Sequence, residues 1–123
     1  MRKLVLLGLL FGIAGCSMTP QKLRSTEPAF VVTSNQSSEQ IAMCISDKWE
    51  STTVIGSSPI VSNKKTQSGY TVQLFIGGNL SHLADIVSAD NTENKSVITT
   101  FSNTFAIGED PSLKAVLDCQ AQN

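Results

Sequence analysis

Few side chains in this 123-residue sequence have types and spacings that could do chemistry. There are three cysteines, Cys16, Cys44 and Cys119, and one histidine, His82, with Ser81 beside it. A serine and a histidine together suggest nucleophilic hydrolysis, because the imidazole must take the hydroxyl proton. Adjacent residues on a strand point to opposite faces, so Ser81 and His82 are not expected to meet, and His82 reads as a surface residue near a turn. Asp47 and Glu50 lie three apart and could share a helix face as an acid–base pair would, but Lys48 and the polar side of that helix place them in solvent. Ile76-Gly77-Gly78-Asn79 lacks the Gly-Lys-Ser/Thr of a phosphate loop and reads as a tight turn. With no Cys-x-x-Cys and a single histidine, neither a redox dithiol nor a metal site is expected. The sequence presents no catalytic constellation, and no enzyme activity and no cofactor are expected.

The beginning of the chain carries the clearest signal. Met1-Arg2-Lys3 is basic, and Leu4 to Gly15 follows without a charge. That apolar run is shorter than the roughly 20 residues needed to cross a bilayer, so it reads as a secretory signal rather than a transmembrane helix. Ile13-Ala14-Gly15-Cys16 resembles the lipobox of bacterial lipoproteins. The resemblance implies cleavage before Cys16, diacylation of its thiol and acylation of the new amine. It also implies, for a Gram-negative cell, that Ser17 in place of aspartate directs the protein to the outer membrane, facing the periplasm. One acyl chain binds a membrane marginally, and further chains add about 0.8 kcal/mol per buried methylene, so two or three make a durable anchor.

Loss of residues 1–15 removes Arg2 and Lys3 and no acid, leaving 108 residues with seven basic and ten acidic side chains. A mildly acidic domain whose longest basic run is Lys64-Lys65 gives no reason to expect a nucleic-acid partner. Lys64-Lys65 itself reads as a solvated hairpin loop. In an oxidising periplasm, Cys44 and Cys119 form an even pair and are expected to be joined as a disulfide.

The elements that would position these residues follow from local patterns. Residues 16–28 contain two prolines and no periodicity, and read as a lipidated tether, with the domain spanning 29–123. Ala29 to Thr33 is either a short edge strand or the end of the tether packed on the domain. Ser37 and Gln40 make a capping box for a helix over about residues 38–50, with Ile41, Cys44, Ile45 and Trp49 on its apolar stripe. Trp49 is therefore expected in the core. Short β-like runs follow at Thr52–Ser57, Ile60–Ser62, Gly69–Ile76, Leu83–Ser88 and Ser96–Phe105, separated by turn clusters that favour an antiparallel meander. Asp110-Pro111 starts a second helix, with Leu113, Val116 and Leu117 on its apolar face and Cys119 near its end.

The expectation is an α+β fold: a roughly four-stranded antiparallel sheet with an N-terminal and a C-terminal helix on one face, cross-linked by Cys44–Cys119. If the helices cover Tyr70, Val72, Leu74 and Ile76, then Thr71, Gln73 and Phe75, with Ile98, Thr100 and Ser102, form the open face. That surface is either a site for another protein or an ordinary solvated sheet face. The expected function is a non-enzymatic binding or scaffolding module anchored in the outer membrane, with an envelope protein as its partner. The alternative is an inhibitor of a hydrolase such as lysozyme. Ser68-Gly69-Tyr70 and Leu117-Asp118-Cys119-Gln120 resemble segments of membrane-bound inhibitors of c-type lysozyme. The aromatic-Trp and Lys-Gly segments of those inhibitors are missing here, and two helices are expected that an all-β inhibitor lacks.

Overall fold

The computed structural model describes residues 18–52, 58–89, 94–104 and 109–122. Cys16, Ser17, most of the Thr52–Ser57 run and Phe105 lie outside them. The chain folds as α1 (Pro20–Arg24), β1 (Phe30–Ser34), α2 (Ser38–Glu50), β2 (Ile60–Lys65), β3 (Gly69–Ile76), β4 (Asn79–Ser88), β5 (Ser96–Ser102) and α3 (Pro111–Ala121). The strands form one antiparallel sheet in the order β1-β5-β4-β3-β2. The α+β class is as expected, but the sheet has five strands rather than four. Phe30–Ser34 is the additional edge strand.

Both long helices begin where their capping chemistry places them. The Ser37 hydroxyl accepts from the Gln40 N–H while the Gln40 side chain accepts from the Ser37 N–H, closing the capping box ahead of α2. The Asp110 carboxylate caps α3 by accepting from the N–H groups of Ser112 and Leu113. Gly77 and Gly78, at φ +60° and +82°, close the β3–β4 hairpin, a backbone shape that side chains with a Cβ resist.

The core lies between the sheet and α2 with α3. Ile41, Ile45 and Trp49 of α2 and Val116 and Cys119 of α3 pack on Val72, Leu74, Ala84, Ile86 and Ile98. Cys44 and Cys119 are joined, with Cα atoms 5.8 Å apart, so the disulfide staples α2 to α3. Leu113 and Leu117 contribute less than expected: Leu113 is half-buried and Leu117 is exposed, the inward face of α3 being Ser112, Ala115, Val116 and Cys119. Hydrogen bonds also hold α3 at its C-terminal end, where Gln36 Nε2 donates to the Cys119 carbonyl at 3.0 Å and Gln120 Nε2 to the Thr33 carbonyl at 2.7 Å.

The opposite face of the sheet is covered in part by α1. Leu23 is fully buried against Leu80, Leu83 and Phe101, with Met18 and Phe75 packed around them. The segment read as a tether is therefore folded onto the domain from Met18 onward. Lys64 and Lys65, read as loop residues, are exposed positions at the end of β2, paired with Thr71 and Tyr70.

Candidate functional site

The residues expected on one open face lie on both sides of the sheet. Thr71 pairs with Asp85, which in turn pairs with Thr99, and Gln73 with Leu83, which pairs with Phe101; Leu83 and Phe101 lie in the cluster under Leu23, which places Thr71 and Gln73 on the α1 side. Ile98, by contrast, pairs with Ile86 and Val32, and Thr100 with Ala84 and Phe30, on the side of α2 and α3. Ile98 and Thr100 are completely buried and belong to the core, which corrects their assignment to an open face. The error has a simple origin. In Ser96–Ser102 the odd positions hold Val97, Thr99 and Phe101 and the even ones Ser96, Ile98, Thr100 and Ser102, so apolar content pointed the wrong face inward.

Thr71 and Gln73 are themselves only 6% exposed, and Phe75 packs in the cluster under Leu23. Arg24 at the end of α1 reaches across the sheet: its Nε and one terminal nitrogen each lie 2.8 Å from the Asp85 carboxylate, and Thr71 Oγ1 donates to the same carboxylate at 2.7 Å. This two-point Arg–Asp contact locks α1 in place. Uncovered on this side are a strip of Val31, Thr33, Val87, Val97 and Thr99, of which Val31, Thr33 and Val87 are exposed, and, on the β2 edge, exposed Ile60 and Lys64.

The histidine differs most from expectation. His82 is 2% exposed, on the α2 and α3 side, with its ring 6.0 Å from that of Trp49. Register explains why. Leu74 pairs with His82 but Phe75 with Leu80, so Ser81 is an extra residue, a β-bulge, and strict alternation fails there. The Ser81 hydroxyl consequently hydrogen-bonds His82 Nδ1. On the other side of the ring, Nε2 donates to Asp110 Oδ2 at 2.8 Å. Asp110 also accepts from Thr104 Oγ1 at 3.2 Å. Burial pushes the Asp110 carboxyl up, but the His82 contact and the Ser112 and Leu113 N–H groups outweigh it, and the carboxyl is held below the usual aspartate range.

Comparison with protein-family models, with curated proteins and with solved structures found no match to this chain.

A serine, a histidine and an aspartate in one hydrogen-bonded chain invite comparison with a nucleophilic triad. Ser81 and His82 are both buried, while Asp110 borders a surface depression beside Phe30, Leu113 and Leu117. The chain joins β4 to the first turn of α3, next to the Trp49 Nε1 bond to the Ser112 carbonyl at 2.9 Å. It positions a helix. Among the described residues no group of three or more His, Cys, Asp or Glu side chains could hold a metal ion. Asp47 and Glu50 are exposed, as expected from the polar side of α2. The sequence signal for the His82 site was present in Leu80 to Ile86, which reads as a strand once the bulge is allowed.

Proposed function

We propose that this chain is an envelope lipoprotein, anchored by lipid on Cys16 in the outer membrane and facing the periplasm, whose domain binds or scaffolds another envelope protein without catalysing a reaction. The observation that carries the reading is the cysteine arithmetic. Cys44 and Cys119 are bonded to each other, which leaves Cys16, at the end of Ile13-Ala14-Gly15, as the cysteine for lipid. A structural disulfide in so small a domain also suits an oxidising compartment. No described helix is long and apolar enough to cross a membrane.

Metabolic labelling with palmitate tests the anchor: the wild type takes up label and Cys16→Ser does not. Equal labelling of both would sink it. For the binding role, in-cell crosslinking should recover one reproducible envelope protein, and the yield should fall for Val31→Lys on the uncovered strip. Recovery of no reproducible partner argues against a scaffold.

A further inference from the structure

We propose that the domain lies directly on the bilayer surface, with the β3–β4 hairpin end of its sheet in the headgroup region, rather than hanging from a tether. The proposal rests on the lipidation of Cys16 put forward above. Its first support is reach. Met18 is packed on the cluster of Leu23, Leu80, Leu83 and Phe101. Only two peptide links separate Cys16 from Met18, so the lipidated residue lies within roughly 7 Å of it, whereas a free tether over residues 16–28 would extend roughly 40 Å. The acyl chains therefore leave the protein beside that cluster, on the hairpin half of the α1 face.

The second support is the unequal character of the two ends of the sheet. At the hairpin end Ile60 is 63% exposed and pairs with Phe75, which with Ile76 is half-buried, and Gly77, Gly78 and Asn79 form the exposed tip. From Thr66 to Ala84 the sequence contains no Asp, Glu, Lys or Arg. The far end carries Glu39, Lys64, Lys65 and Lys95, all exposed. Apolar, uncharged surface gains free energy in the boundary between headgroups and acyl chains, whereas a charge keeps its hydration only at the headgroup surface. Glu50 and Glu109 are exposed at the hairpin end, but from the ends of α2 and the start of α3, on the helix side of the sheet. They favour the α1 side, where the lipid emerges, as the side turned to the membrane; the exposed charges there, Lys22, Arg24 and Glu27, lie on α1 and its exit and would sit at headgroup level.

The test uses the full lipidated protein in vesicles of phosphatidylethanolamine and phosphatidylglycerol, with and without brominated acyl chains. Tryptophan is introduced by Ile60→Trp, by Asn79→Trp and, at the far end, by Lys95→Trp, each read against the wild type, whose Trp49 is buried. All four proteins should co-sediment with vesicles, and bromine should quench the added fluorescence at positions 60 and 79 but not at 95. Co-sedimentation without quenching at 60 and 79, or with equal quenching at 95, overturns the docked orientation and leaves the anchor standing. Failure to co-sediment overturns the anchor and the orientation together.

Discussion

His82 Nε2 lies 2.8 Å from Asp110 Oδ2, and this one contact joins β4 to the residue that caps α3. Asp110 therefore does two separable things. Asparagine caps a helix about as well as aspartate, so Asp110→Asn should keep the cap and weaken only the charged bond to His82, costing about 1–2 kcal/mol. Asp110→Ala should lose both and cost about 1 kcal/mol more. Urea unfolding of a soluble form beginning at Ser17 measures the difference, and equal losses for the two variants would show that the bond to His82 alone matters.

The same carboxylate makes stability depend on acid. Its folded pKa lies below the usual value, which is about 3.9 for an unfolded aspartate. The folded state therefore binds the proton less readily, and the stabilisation is complete above about pH 4 to 5 and disappears as pH falls through the folded pKa. The gap in urea midpoint between wild type and Asp110→Asn should narrow as pH falls from 5 to 3. A gap that widened in acid would contradict this origin.

Leu23 decides whether the segment after the lipid site is tether or domain. It is fully buried, and Leu23→Ala should cost about 2–4 kcal/mol, as truncation of a core leucine does. Arg24→Ala should cost less, about 1 kcal/mol, because the Arg24–Asp85 pair is partly exposed. Unchanged stability for Leu23→Ala would mean that α1 does not hold to the sheet in solution.

Both long helices were legible because the Ser37–Gln40 box and Asp110-Pro111 are local chemistry, complete within one turn. The disulfide followed from one cysteine in each helix. α1 was hidden because residues 19–28 offer one apolar side chain, Leu23, among prolines and polar residues, too little for a periodic signal. The start of β4 was hidden by the bulge at Ser81, and with it the burial of His82. In β5 neither face is clearly apolar, so the partners Ile86 and Ala84 across the sheet, rather than the strand itself, set the inward side.

Reduction of the Cys44–Cys119 bond should be costly. It closes a loop of 75 residues, and the loss of that constraint on the unfolded chain is worth roughly 4–5 kcal/mol in the chain-entropy picture. Cys44→Ala with Cys119→Ala should lower the urea midpoint by the same amount as a thiol reductant lowers that of the wild type. A reductant effect persisting in the double variant would point to a different target.

Thr100 offers the opposite case, a substitution expected to help. Its side chain is fully buried on the helix side of β5, between Ala84 and Phe30, and its hydroxyl has no hydrogen-bond partner among the described residues. A buried, unpaired hydroxyl has lost its water without compensation, at a cost of about 1–3 kcal/mol. Valine has nearly the same shape and the same β-branched preference for a strand, and it replaces the hydroxyl with a methyl group suited to the core. Thr100→Val should therefore raise the thermal midpoint and leave the circular dichroism spectrum unchanged. Thr100→Ala serves as the control: it removes the hydroxyl too but leaves a void, and should be less stable than the valine variant. A valine variant less stable than wild type would mean that the Thr100 hydroxyl makes a contact worth more than its burial costs.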